Sequence, residues 1–126
     1  MQTTDIVKSF IAGGAIAAFR LVRFGANNTQ VLQASAAGDS IIGVCHQPLG
    51  AALNERCDVA LAGIVDVEFG AAVTRGALLT SDANGRAIVA AAAAGTNIRT
   101  IGQAMTDAAA AGDIGQVLLS PGSFQG

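Results

Sequence analysis

The sequence has no tryptophan and no tyrosine, and its 126 residues include only five phenylalanines, two cysteines and one histidine. Without tryptophan and tyrosine, and with so few phenylalanines, the chain lacks the aromatic platforms on which nucleic acid bases stack. A net charge of −2 and a pI near 5.0 leave no basic stripe for a phosphate backbone. We therefore expect no nucleic acid partner.

Charged residues are also scarce, at 13% of the chain, where an average soluble protein has roughly a quarter. The mean hydropathy of +0.52 raises the question of a membrane, but a spanning helix needs about 20 consecutive apolar residues. The longest apolar run, Ala87 to Ala94, is far too short, so we expect no membrane partner. Such a chain hides apolar surface against other protein chains; the alternative is a small monomer with a surface rich in alanine and glycine.

The sequence does contain a repeat of its own first half, in which apolar and turn residues recur 57 to 59 positions later. Apolar alternation and turn chemistry recur, and no set of reactive groups recurs with them. We interpret residues 13–69 and 70–122 as two similar strand-hairpin halves of one β domain spanning residues 13–126. The matched pairs include Ile16 with Val73, Leu21 with Leu78, Val22 with Leu79, Asn28 with Gly85, Ile42 with Ile101, Glu55 with Asp113 and Val59 with Val117.

Short strands at intervals of about ten residues, separated by Gly and Asn, predict an all-β fold, a small sandwich or barrel with little helix. Ala15 to Phe24 and Thr29 to Ala34 are predicted to pair through a turn in which Asn27-Asn28 supplies a positive φ. Asn84-Gly85 is a strong hairpin signal, and Pro121-Gly122 is predicted to end the last strand. Further strands are expected at Ile41 to Cys45, Cys57 to Ala62, Ile64 to Gly70, Ile98 to Met105 and Gly115 to Leu119.

An apolar segment precedes the first repeat and contains Ile6, Val7, Phe10 and Ile11. Its spacing fits one helical face or one imperfect strand equally well. Two interpretations of residues 1–12 stay open. They are an N-terminal arm, or they hold the first strand of the domain, as the correspondence with Ile64 to Gly70 indicates.

The groups that could carry chemistry do not form a recognisable site. A zinc site would combine His46 with Cys45 and Cys57, but the sequence has neither a Cys-x-x-Cys nor a His-x-x-x-His pair. The histidine also has no nucleophile motif around it. Asp66 and Glu68 lie two apart in an alternating strand, which favours a solvated face. We predict no catalytic residues, no metal site and no cofactor.

Cys45 and Cys57 are predicted to lie on neighbouring strands. Pairing of these strands would allow a disulfide if the two Cα atoms lie within about 7 Å. The alternative, which we favour, is two reduced and partly buried thiols. The second half has Ala104 and Gly115 near these positions, so the thiols are not part of the repeat.

Several segments resemble the capsid decoration (cement) proteins of tailed bacteriophages, over about Gly38 to Gly122. The departures from the family pattern are Asn54-Glu55-Arg56 and Cys45-His46. The segments that carry the resemblance are Ile42-Gly-Val, Val59-Ala-Leu-Ala-Gly-Ile-Val, Ala72-Val-Thr-Arg-Gly-Ala-Leu-Leu-Thr-Ser-Asp-Ala-Asn-Gly-Arg-Ala-Ile-Val, Ile101-Gly-Gln-Ala and Ala111-Gly-Asp-Ile-Gly-Gln-Val-Leu-Leu.

The resemblance implies a virion structural protein that binds the outer surface of the phage head in many copies. It would stabilise the shell by bridging major capsid protein subunits, as a homotrimer made in the host cytoplasm, with no enzymatic activity and no small-molecule substrate. The candidate capsid-binding residues are Ile6, Val7, Phe10 and Ile11. The alternatives are another virion component, such as a head fibre base or tail subunit, and a small β binding module.

Overall fold

The computed structural model describes residues 6–91 and 94–125, and over these residues the chain is all-β, without a helix. No helix in this described part could therefore cross a membrane. The first five residues of the 1–12 segment lie outside the described residues. The strands are β1 (Ile6–Ala12), β2 (Leu21–Phe24), β3 (Gln30–Gln33), β4 (Ile41–Cys45), β5 (Arg56–Glu68), β6 (Leu78–Ser81), β7 (Ala87–Val89), β8 (Asn97–Ala104) and β9 (Ile114–Gln125).

Five of these strands close into a mixed β-barrel. Their order is β1-β3-β2-β4-β5, and the pairing of β1 with β5 completes the ring. The pairing of β1 with β3 is parallel, with Ile11 opposite Gln30, whereas the other four pairings are antiparallel. The apolar segment that contains Ile6, Val7, Phe10 and Ile11 thus supplies the strand that closes the barrel.

Four further strands extend from β5 in the order β9-β8-β6-β7. The first part of β5, Arg56 to Ala62, pairs with β1, and the second part, Gly63 to Glu68, pairs with β9. Two separate strands were expected here, and that detail was wrong, because the chain changes partner at Gly63 without ending the strand. Gly63 has a φ of 103°, which lets the strand change course at that point.

The predicted end of the last strand was also wrong. β9 continues through Pro121-Gly122 to Gln125. The pairing of β9 with β5 ends at Leu119, and the register with β8 shifts between Thr100 and Gly102. Proline is tolerated there because it lacks only an N–H that an edge or bulge position does not need.

The first hairpin begins later than the alternation indicated. Ala15 to Arg20 is irregular, with a single bridge from Ile16 to Ala51, and the chain turns at Phe19, which has a φ of 60°. Neither Asn27 nor Asn28 takes a positive φ. Instead the Asn27 side chain accepts a hydrogen bond from the Thr29 N–H at 3.0 Å, which forms an Asx turn.

The core consists of two clusters of buried side chains that lie on opposite faces of the barrel strands. Leu21 belongs to one cluster and its neighbour Val22 to the other, because successive side chains of a strand point to opposite faces. The smaller cluster, which includes Phe10 and both cysteines, fills the barrel. The larger cluster packs the outside of the barrel against the four further strands.

Candidate binding surface

The structure separates the four residues of β1 that were predicted to contact a partner. Phe10 is only 4% exposed and lies in the barrel core. Its ring meets that of Phe24 edge-on, with 6.1 Å between the ring centroids. Ile6, Val7 and Ile11 are exposed, at 62%, 42% and 41%. Three of the four side chains are thus available to a partner, and Phe10 anchors the strand that carries them.

Polar contacts also hold β1 against its neighbours. The Ser9 hydroxyl donates a hydrogen bond to Asp58 Oδ1 at 2.8 Å, and the Ile11 N–H donates to the Thr29 carbonyl at 2.8 Å. The Lys8 ammonium lies 5.1 Å from the centroid of the Phe10 ring, within the range of a cation–π interaction. Residues 6–12 are therefore an integrated strand of the barrel.

A second apolar surface, which the sequence analysis missed, lies on the loop of residues 46–55 between β4 and β5. Leu49 is 97% exposed and Leu53 is 60% exposed. Sequence reasoning found the turn residues of this loop but no alternation that would assign its leucines to the surface or the core. Their orientation depends on contacts with distant parts of the chain, such as the bridge from Ala51 to Ile16.

A third group of exposed apolar side chains covers the outer face of the further strands. Leu78 on β6 and Leu118 on β9 both lie opposite Gln103 on β8, so the three side chains form one row across the sheet. Met105 and Ile114 are exposed as well. Aliphatic side chains thus meet solvent on β1, on the β4–β5 loop and on this outer face.

Cys45 and Cys57 are free thiols, and both are fully buried in the barrel. The Cys57 thiol is hydrogen-bonded to Cys45, and this bond lowers the pKa of Cys45 against the opposing effect of burial. The same hydrogen bond, together with burial, raises the pKa of Cys57. The structure brings the two thiols together, as expected if their strands pair. A disulfide between them stays a prediction.

Glu68 does not lie on a solvated face, contrary to the expectation from strand alternation. Its Oε2 is 3.1 Å from Arg20 Nη2 and 3.7 Å from Arg86 Nη1. Arg86 Nε is 3.4 Å from Asp82 Oδ2. This half-buried cluster joins the barrel to the turn between β6 and β7, and Asp66 alone keeps the solvent-exposed position that alternation indicated.

A groove of about 720 Å³ opens between the start of β4 and the β8–β9 pair. Gly38 and Ile41 line one side, and the segments 97–99 and 121–123 line the other. His46 and the cysteines lie elsewhere. Across residues 6–91 and 94–125, no group of three His, Cys, Asp or Glu side chains is placed to hold a metal ion.

Two comparisons with known proteins found similarities to this chain. The base of a bacteriophage phi29 head fibre, described as the head fiber gp8.5 N base, has a similar fold with a TM-score of 0.65. The two chains are 17% identical over 93% of this chain and 95% of that one, so the likeness concerns the fold alone. No curated protein matches the chain. The family model described as Phage cement protein matches residues 1–119. This chain therefore belongs to the phage cement protein family, whose members are non-enzymatic structural components of the virion associated with the head.

Proposed function

We propose that the chain binds the outer surface of the phage head in many copies and stabilises the shell by bridging neighbouring major capsid protein subunits. The observation that carries this proposal is the exposure of aliphatic side chains on β1, on the β4–β5 loop and on the outer face of the further strands, in a chain with only 13% charged residues. A bridging protein must contact more than one neighbour at once. Exposed aliphatic side chains on both the barrel and the further strands meet that requirement.

Many weak contacts suffice for such a role. When one molecule engages two sites, the second contact forms at a high effective concentration, so total holding strength exceeds that of either contact alone. A surface with few charges also loses little solvation free energy when it is covered. The proposal includes self-association as a homotrimer, for which the same apolar surfaces are available.

Within this proposal, Ile6, Val7 and Ile11 contact the shell and Phe10 holds their strand in register. The support is the contrast in exposure along this strand, in which Phe10 is buried while its neighbour Ile11 is exposed. Only Ile11 and Ala12 of β1 pair with β3, so the preceding part of the strand keeps one unpaired edge. Such an edge can add to a sheet of a partner or lie in its groove.

We also infer that residues 13–69 and 70–122 are two versions of one structural unit. Ile16 and Ala51 exchange backbone hydrogen bonds of 2.8 and 2.9 Å, and Val73 and Ala108 exchange bonds of 2.9 and 2.8 Å. Each member of the second pair follows its counterpart by 57 residues. An experimental structure in which the two segments superpose along their strands would support the inference, and a different strand order would contradict it. Further matched backbone contacts are Ala12 to Glu55 with Phe69 to Asp113, and Cys45 to Arg20 with Ala104 to Ala77.

A head fibre base is the second candidate function, because the phi29 fibre base shares the fold. We expect the two functions to differ in copy number. A bridging cement protein should approach the copy number of the shell protein, whereas we expect a fibre base at lower copy number.

Reconstitution tests the proposed function. Purified chain would be added to undecorated heads, meaning heads of the same phage assembled without this chain, and bound chain would be measured after sedimentation. We expect saturable binding and a higher temperature of head disruption. An absence of binding, or binding without any gain in head stability, would contradict the proposal.

A further inference from the structure

We propose that the β4–β5 loop is a preformed contact with the shell, in which Leu49 and Leu53 enter an uncharged apolar groove of the major capsid protein. The inference rests on the proposed function and names the part of the molecule that meets the shell. It follows from the rigidity of the loop, from a comparison with the matching loop of the second half, and from the size and charge of the exposed surface.

The loop holds its leucines in fixed positions. Gln47 and Gly50 exchange two hydrogen bonds, with the Gly50 N–H donating at 3.1 Å and Gln47 Nε2 donating to the Gly50 carbonyl at 3.0 Å. At the far end, the Asn54 N–H donates to the Ala12 carbonyl at 2.8 Å. Gly50 has a φ of 70°, and a Cβ there would lie 2.2 Å from the Ile16 oxygen, so the loop packs directly on the backbone below it. A preordered loop loses little conformational entropy on binding.

The loop of residues 106–113 shares the bonding of its last turn with the β4–β5 loop, but its tip differs. Its Asp113 carboxylate accepts from the Ala110 N–H at 3.3 Å, as the Glu55 carboxylate accepts from the Ala52 N–H at 2.7 Å. The residue 58 positions after Leu53 is Ala111. The shared bonding of this turn involves no leucine side chain, so the backbone conformation does not require a leucine at the exposed position 53, and contact with a partner provides the reason for one.

Size and charge identify the occupant. Two leucine side chains expose at most about 300 Å², well below the roughly 800 Å² per partner of a stable protein–protein interface. Such a contact does not hold a second copy of the chain by itself, but it gains strength by repetition over a shell. Residues 47–53 contain no charged side chain. The complementary groove is therefore uncharged, and binding through this loop is insensitive to salt.

The test compares a Leu49→Ala/Leu53→Ala variant with the unaltered chain in binding to undecorated heads, at low and high salt. We expect the double substitution to lower affinity about 10- to 100-fold and the affinity of the unaltered chain to change less than about threefold with salt. Val89→Ala is the matched control, because it removes an exposed aliphatic side chain on β7, away from the loop. Thermal unfolding verifies that each variant folds, and Leu49→Asn provides a second variant at the most exposed position.

Each outcome decides a separate question. If the unaltered chain binds and the double variant binds equally well, the inference is overturned and the proposed function stands. If the unaltered chain does not bind at all, the proposed function fails and the inference fails with it. Equal losses in Val89→Ala and the double variant overturn the assignment to this loop. A variant that lowers the oligomeric state of the free chain shows that the occupant is a second copy and also overturns the inference.

Discussion

The ring of Phe69 occupies space that a side chain at Gly115 would need, since a Cβ on Gly115 would lie 2.5 Å from Phe69 Cε2, with the Thr106 hydroxyl closer still. Phe69 is fully buried in the larger core cluster, and Gly115 lies on β9 opposite Val67 of β5. Glycine at position 115 therefore lets β9 pack closely against the ring.

This relationship predicts that Gly115→Ala destabilises the fold. Overpacking a filled core costs about 1 to 3 kcal/mol, and we expect a loss of that size in urea denaturation. Gly38→Ala is the control, because a Cβ there meets no atom within 4 Å. A Gly115→Ala/Phe69→Leu variant should recover part of the loss. Equal stability of Gly115→Ala and the unaltered chain would contradict the packing argument.

Substitutions in β1 should separate stability from binding. Phe10→Ala removes a buried ring and is expected to lower the free energy of unfolding by about 3 to 5 kcal/mol. Ile6→Ala removes an exposed side chain, so its effect on unfolding should stay within about 0.5 kcal/mol. We expect Ile6→Ala nevertheless to weaken binding to undecorated heads. Unchanged binding in an Ile6→Ala/Val7→Ala variant would remove β1 from the proposed contact surface.

The ionic cluster predicts a moderate role for Glu68. Glu68→Gln leaves Arg20 and Arg86 next to a neutral amide in a half-buried site. We expect a loss of about 1 to 2 kcal/mol in the free energy of unfolding, less than for a fully buried pair because solvent still screens the cluster. Asp66→Asn, on the exposed part of the same strand, is the control and should be neutral. High salt should reduce the difference in unfolding free energy between Glu68→Gln and the unaltered chain, because the interaction is electrostatic.

The buried thiols predict a decline in stability at alkaline pH. The pKa of Cys57 is raised in the folded chain above its ordinary value of 9.0. A raised pKa contributes stability that is complete below pH 9 and is lost as the pH rises further, because the unfolded chain releases a proton that the folded chain retains. The expected slope is about 1.4 kcal/mol per pH unit for one group. Cys57→Ala should flatten this part of the stability profile, and an unchanged slope would contradict the assignment.

Local features of the chain could be predicted from the sequence because they depend on local chemistry. Alternation and turn residues indicated an all-β fold, and Asn84-Gly85 marked the turn between β6 and β7, where Gly85 has a φ of 74°. The continuity of β5 could not be predicted in this way. It depends on the exchange of one neighbouring strand for another at Gly63, which leaves no local pattern.

The candidate surface was harder to predict for the same reason. Strand alternation placed Glu68 in solvent, but its partner Arg20 lies 48 residues away in sequence, and only the packing of the β6–β7 turn on the barrel brings them together. Leu49 and Leu53 lie in an irregular loop where no periodicity separates inward from outward positions. Their exposure follows from backbone bonds to Ile16 and Ala12.

The most direct test of the account is the number of copies of this chain per major capsid protein subunit in purified particles, measured by quantitative mass spectrometry. The account predicts a copy number that approaches that of the shell protein, with the chain accessible to protease or antibody on the intact head. A few copies per particle, or a chain found only inside the head or on the tail, would contradict it.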